Sequence, residues 1–388
     1  MHSQVGSFEA AVASADGRVP ISDSLWESCF NSRESSIHQL APYVGRMKSG
    51  MARVLIEEFS HEGDVVLDPF CGSGVVPCEA LLAGRHAIGN DLNLYAYVLT
   101  KGKLSAPSTH AQAIARAIRA LDEAAEHTIA LSEIPDWVKS FFHPKTLEEA
   151  VALARVLRQR RDYFLLACLL GILHHVRPGF LSYPASHLVP YLRAKKYPRQ
   201  DFPDMYRYRP VRPRLLAKID RAYRRFEPPN PALRRVVLRE NAMSLSCESD
   251  SVDAVISSPP YYGALDYGRD NRLRLWFLGV DDYRKIDIKL TSNEKVYVPE
   301  MTRAVGEILR VLKPGKCAAL VLGDYNRNGR SKDSGTAIIE IVKGNYSSAA
   351  TADRVLVDEV PDERRTRRRT QTTKQESVVL IRKSLKPY

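Results

Sequence analysis

Two short stretches bring together residue types that can do chemistry. The first is Asp68-Pro69-Phe70-Cys71-Gly72-Ser73-Gly74, which follows the apolar run Val65–Leu67. Gly72 and Gly74 let the chain turn sharply and approach a ligand with no Cβ in the way. From Val75 through Leu82 the apolar pattern becomes helical, so the loop joins a strand to a helix whose first N–H groups face whatever is bound. About twenty residues on, the run His86–Gly89 ends at Asn90-Asp91, where an acid is placed to accept hydrogen bonds from ribose hydroxyls. These features outline a site for a cofactor that contains a nucleoside. The second stretch, Ser258-Pro259-Pro260-Tyr261, follows the apolar run Val252–Ile256. Two prolines there stop the strand and fix a rigid turn at its C-terminal edge, the edge on which open α/β sheets bind their ligands.

The first loop is not the dinucleotide pattern of three spaced glycines, and it lacks the Lys-Ser/Thr ending of a phosphate-binding loop, which argues against ATP. The six cysteines are scattered, without a Cys-x-x-Cys pair or histidines at metal spacing, so neither a disulfide framework nor a metal site is indicated. With 388 residues, 44% hydrophobic and 26% charged, the chain has the make-up of a folded globular protein. Its formal net charge of +12 sets up a field suited to a polyanionic partner, with nucleic acid first among candidates. The N-terminus has no basic-then-apolar signal segment, and the longest apolar run, Phe164–Leu173, is too short to span a bilayer. A cytoplasmic protein with no membrane partner is expected.

Four regions position the two stretches. Residues 1–35 form a loosely held extension. Residues 36–107 form the cofactor-binding half, with a helix of about a dozen residues ending near Phe59. Residues 108–234 form an insert in two parts. Its first part is helical: an amphipathic helix over 108–131 presents Ala113, Ile114, Ala117, Ile118 and Leu121, and two helical segments follow between Leu147 and Val176. Its second part, Pro184–Phe226, alternates basic residues, among them Arg193, Lys195, Lys196, Arg207, Arg209, Arg212 and Arg214, with tyrosines, a mix that suits phosphate contact and base stacking. Residues 235–388 form the catalytic half. Its strands are Arg235–Leu238, Val252–Ile256, Cys317–Gly323, Arg354–Val360 and Ser377–Ile381, and the last two flank a basic turn of Arg364, Arg365, Arg367, Arg368 and Arg369. Helix–strand alternation that ends in two consecutive strands predicts an α/β fold with a mostly parallel sheet and a reversed strand at its edge.

Asp68–Gly74 closely resembles the S-adenosylmethionine loop of amino-methylating DNA methyltransferases, and Ser258–Tyr261 resembles their catalytic loop, in which Asp, Asn or Ser precedes Pro-Pro and an aromatic ring. The serine form is the one most associated with cytosine N4. The likeness covers about residues 38–104 and 235–381 and matches the insert only loosely. It implies a Rossmann-like class I methyltransferase fold with a seven-stranded sheet. It implies S-adenosyl-L-methionine as cofactor, with Tyr43 at its methionine end and Asp68, Pro69, Phe70, Gly72, Ser73, Gly74 and Asp91 around it. Asn241 stands where many relatives carry an acid for the cofactor adenine, and its amide oxygen can still accept that bond. The basic tract and the arginine turn would grip double-stranded DNA.

The implied chemistry suits the residue types. A nucleobase amino nitrogen is a poor nucleophile because its lone pair is delocalised into the ring. Acceptors on the Ser258 side chain and the Pro259 carbonyl would pull it toward tetrahedral geometry. Tyr261 would stack on a base swung out of the duplex. Direct in-line displacement needs no covalent cysteine, which leaves Cys71 as a small loop residue. The implied enzyme is a site-specific, cytosine-N4 DNA methyltransferase, either solitary or the modification partner of a restriction endonuclease. Three other readings stay open: adenine-N6 methylation of DNA, methylation of an exocyclic amine on RNA, and a nucleic-acid-binding module that has lost catalysis. RNA enzymes of this kind usually carry a separate N-terminal RNA-binding domain, for which the residues before the motifs leave no room, and intact Asp91, Ser258 and Tyr261 weigh against lost catalysis.

Overall fold

The computed structural model describes residue 29 and residues 34–174, 180–182, 198, 200–260, 267–285, 294–327, 330–359 and 375–385. Seven strands make the main sheet: β1 (Val65–Asp68), β2 (His86–Asn90), β3 (Arg235–Leu238), β4 (Val252–Ser257), β5 (Leu312–Gly323), β6 (Ala350–Glu359) and β7 (Gln375–Lys383). They lie in the order β3-β2-β1-β4-β5-β7-β6. β1 pairs in parallel with β2 and β4, β2 with β3, and β4 with β5. The one reversed strand, β7, runs antiparallel to β5 on one side and to β6 on the other, so the antiparallel pairing occupies the last two ladders. This is the expected fold, a Rossmann-like α/β sheet of class I methyltransferase topology. The strand order reverses between β1 and β4, the place where such sheets bind ligands at the carboxyl ends of their strands.

The period-two alternation of a strand sends successive residues to opposite layers. Val66, Ala254, Ile256, Ala319 and Val321 belong to one apolar cluster, while Leu67, Val255, Ala318 and Leu320 belong to the other. Covered on both faces, β4 is buried at all six positions. The second layer takes its helices from Glu294–Val311 and Ser334–Asn345. The first takes Ser49–Phe59, Val75–Leu82 and Leu94–Leu104. The insert joins this first layer. Its helices His110–Ala125, Pro144–Gln159, Tyr163–Ile172 and Val211–Tyr223 share one continuous apolar cluster with the sheet.

The structure adds detail that periodicity did not show. Helix Leu94–Leu104, where no element was expected, begins at Asn93, whose side chain accepts from the Tyr95 N–H. Helix Val211–Tyr223 lies inside the basic tract, with Pro213 in the first turn, where a missing N–H costs nothing. The predicted amphipathic helix is His110–Ala125, closed by a Thr109/Gln112 capping box. It buries Ala113, Ala117, Ala120, Leu121 and Ala124 and leaves Ile118 39% exposed, so its packed face is an alanine stripe that admits close neighbours. The arginine turn 364–369 lies outside the described residues.

Helix Tyr163–Ile172 approaches the turn Ser36–Gln39 closely: a Cβ on Gly171 would stand 1.9 Å from the Leu40 carbonyl oxygen. Gly171→Ala should therefore push this helix off the segment that leads to Tyr43 and destabilise the protein by about 1–3 kcal/mol. Urea unfolding reads this directly, and a midpoint equal to that of the wild type would contradict the contact.

Candidate active site

The loop after β1 holds its shape through backbone conformations that favour glycine, φ +49° at Gly72 and +73° at Gly74. Its principal anchor comes from the end of β2. One Asp91 carboxylate oxygen accepts the Gly72 N–H at 2.9 Å, and the other accepts the Asn93 N–H at 2.9 Å. Asn90, fully buried beside it, donates to the carbonyls of Pro69 and Glu240, each at 3.1 Å, and accepts the Glu240 N–H at 2.9 Å. The loop after β1 and the end of β3 are thereby fixed to the same two residues. Thr100 closes the far side, its hydroxyl donating to the Gly72 carbonyl at 3.2 Å.

The strand before the proline turn is joined to this frame by a side chain the sequence analysis passed over. Ser257, buried, donates through Oγ to Asp68 Oδ1 at 2.6 Å, and the same oxygen accepts the Phe70 N–H at 3.1 Å. The doubled serine before Pro259 was its signal, with only the second read as functional. Ser257 thus registers the proline turn against the glycine loop.

Between these elements lies an open cleft. Of the predicted cofactor residues, Tyr43, Asp68, Pro69, Phe70, Gly72, Ser73, Asp91 and Asn241 all line it, as do Ser258 and Pro260 from the catalytic turn. Gly74 lies behind the lining, against Thr100, and Pro259 is buried. Tyr261 lies outside the described residues. The cleft also takes in Arg46, Met47, Leu92, Met243 and Glu300, none of which motif spacing singled out. Phe70 packs toward the layer that contains helix Glu294–Val311.

Burial dominates the electrostatics. It pushes the Asp68 carboxyl up to about 7 against the bonds from Ser257 and Phe70, with the nearby Asp91 charge adding to the rise. It pushes Asp91 up to about 6 despite two N–H donors. Burial, with the Asp91 and Asp68 charges, holds the Cys71 thiol far above the usual range, so this sulfur is no nucleophile. Among the described residues no group of His, Cys, Asp and Glu could hold a metal ion.

The basic insert is arranged differently from the motif loops. Arg212 pairs with Asp122, and half-buried Arg214 donates to the Pro210 carbonyl at 3.1 Å. Arg209 is half-buried, with its backbone N–H bonded to Thr146, and Arg207 is exposed. Arg193, Lys195, Lys196, Arg364, Arg365, Arg367, Arg368 and Arg369 lie outside the described residues. Among the described residues no helix is long and apolar enough to cross a membrane.

Both raised carboxyls lie above the ordinary aspartate value of about 3.9. The stability they confer is complete below that value and is lost as pH rises through about 6 for Asp91 and about 7 for Asp68. Asp68→Asn keeps an oxygen for Ser257 and Phe70 and removes the charge. It should raise the thermal midpoint of the ligand-free protein at pH 8 and leave it nearly unchanged at about pH 3, below the ordinary aspartate value. Equal shifts at both pH values would show that charge is not the cause.

Residues 12–101 match the family model described as DNA methylase. An 84-residue stretch is 25% identical to the type II methyltransferase M.MjaII of Methanocaldococcus jannaschii, which covers 20% of this chain and 16% of that protein. The chain therefore spans well under two thirds of that relative's length. A SAM-dependent methyltransferase from Methanosarcina mazei is 13% identical, with 86% of this chain and 98% of that one covered and a TM-score of 0.36. The rRNA methyltransferase aviRa from Streptomyces viridochromogenes is also 13% identical, with 91% and 94% covered and a TM-score of 0.34. The segment that supplies the Asp68–Gly74 loop and Asp91 is thus similar to the DNA methylase family.

Proposed function

We propose that this protein is a DNA methyltransferase that uses S-adenosyl-L-methionine to methylate the exocyclic N4 amino group of cytosine. One observation carries the reading: Ser258 and Pro260 open into the same cleft as the Asp68–Ser73 loop and Asp91. An amino-activating turn and a nucleoside-binding frame thus share one cavity.

The residues fit the cofactor. Each Asp91 oxygen accepts one backbone N–H and keeps a further lone pair for a ribose hydroxyl. Asn241, Leu92, Met243 and Phe70 offer an amide and apolar walls for the adenine, and Tyr43 with Arg46 and Met47 closes the opposite end. When bound, the cofactor supplies a methyl group on a positively charged sulfur. Ser258 and the Pro259 carbonyl accept N–H bonds from the target amine and direct its lone pair at that carbon. With the cofactor bound, the new N–C bond would form as its S–C bond broke, and the amine's proton would leave to solvent. Positioning supplies most of the acceleration, and Cys71 takes no part.

The choice of base rests on Ser258. Beside cytosine a hydroxyl accepts an N4 hydrogen while its own proton bonds a carbonyl, whereas an aspartate would be an acceptor alone and a stronger one. The duplex is gripped by the tract 193–199 and Arg207, with the turn 364–369. Arg212 pairs with Asp122 at the surface, and Arg214 donates to the Pro210 carbonyl. In the cell the enzyme acts alone or beside a restriction endonuclease.

Asp91→Ala should weaken cofactor binding by about 1–3 kcal/mol in titration calorimetry, the worth of a hydrogen bond to a charged acceptor. Ser258→Ala should leave that affinity nearly intact and lower kcat strongly, a loss confined to the transition state. The reverse pattern would overturn both assignments. Neutralising Lys195, Lys196 and Arg207 together should flatten the log–log salt dependence of DNA binding by roughly 0.9 per lost phosphate contact, which Arg212→Ala should not do. An unchanged slope in the triple variant would place the DNA elsewhere.

A further inference from the structure

Three side chains form a column from the cofactor cleft to the helix that follows the catalytic turn. At its base, the Tyr43 ring lies flush on the glycine loop: a Cβ on Gly72 would stand 2.9 Å from Tyr43 Cε1. The Tyr43 and Tyr95 rings are 5.9 Å apart between centroids and tilted by 30°. Tyr95 is fully buried, and its hydroxyl donates to the Pro42 carbonyl at 2.7 Å, which fixes it to the segment that carries Tyr43. At the top, the Arg274 guanidinium lies 5.6 Å from the Tyr95 ring centroid, and its Nε donates to the Leu170 carbonyl at 3.3 Å. Arg274 belongs to helix Arg272–Phe277, the second of two short helices after the proline turn.

A cation over a buried aromatic face is held without the freedom of a solvent-exposed pair. Core packing of this density transmits displacement instead of absorbing it. Tyr43 is a wall of the cleft, so a ligand that fills the cleft bears on the base of the column. We propose that Arg274 is a positioning residue that couples the cofactor cleft to helix Arg272–Phe277 through Tyr95 and Tyr43. Cofactor binding then rigidifies the helix that follows the catalytic turn. The inference rests on the cofactor reading given above and adds to it the residue through which the cleft is coupled to that helix. Arg274 itself touches neither substrate nor cofactor.

The test is backbone hydrogen exchange across residues 272–278 with and without S-adenosylhomocysteine, its binding measured separately by calorimetry. In the wild type the ligand should slow exchange there by at least about threefold. Arg274→Met should bind S-adenosylhomocysteine within about twofold of the wild type and lose the ligand-dependent slowing. Arg274→Lys, which keeps a cation over the ring, should restore part of it. A purely structural role would alter exchange equally with and without ligand. Slowing that persists in Arg274→Met, or that is absent from a wild type shown to bind the ligand, overturns the coupling while the cofactor reading stands. A wild type that does not bind S-adenosylhomocysteine overturns the cofactor reading and the coupling with it.

Discussion

The rest of the site depends on how β2 ends. A strand that runs out at a sheet edge leaves backbone groups to be satisfied, and here the pair Asn90-Asp91 satisfies those of three neighbouring segments. Asp91 accepts N–H groups from the glycine loop and from the start of the next helix, and Asn90 bonds the chain on either side of it. An unpaired polar group at this depth would cost about 1–3 kcal/mol, so the two residues leave the loop after β1 few other arrangements. Asp91 is thus the strut that ties the glycine loop to the start of the next helix.

A second constraint acts across the switch point. Ser257 and Asp68 lie on adjacent strands, and their bond locks the turn that carries Ser258 to the glycine loop. Two carboxyls, Asp68 and Asp91, are kept buried near one another at a cost that appears in their raised proton affinities. A ligand with a positively charged sulfur relieves that cost, so the frame is electrostatically disposed toward such a ligand before any contact is made. The helical insert adds mass to the same layer as the cofactor loop. Its helices Pro144–Gln159 and Tyr163–Ile172 share a core with helix Leu94–Leu104, which follows Asp91.

Much of this was legible in the sequence because glycine, proline and a terminal acid have few structural uses at such spacing. The loop Asp68–Ser73, Asp91, Ser258 and Pro260 were all singled out from residue type, and they line one cleft. What escaped depended on partners distant in sequence. Ser257 has meaning only beside Asp68, 189 residues away. Asn90 acts through Glu240, 150 residues away. Helix Val211–Tyr223 was hidden by its proline and its arginines, because periodicity weighs apolar spacing and this helix buries only a narrow stripe of Val211, Leu215, Ile219 and Ala222. Charge was the weakest guide. Arg212 counts toward a basic field in composition, yet in the fold it is paired with Asp122.

The account claims that a turn of acceptors directs an exocyclic amine at a methyl donor held by the glycine loop. Its most direct test is the chemical identity of the product. DNA incubated with the enzyme and methyl-labelled S-adenosylmethionine would be digested to nucleosides and resolved by mass and retention. The account predicts label in N4-methylcytidine of the deoxy series, with the ring carbon C5 untouched and no covalent adduct on a 5-fluorocytosine duplex. Label in N6-methyladenine would keep the mechanism and change the base. 5-Methylcytosine, or a trapped adduct, would contradict it.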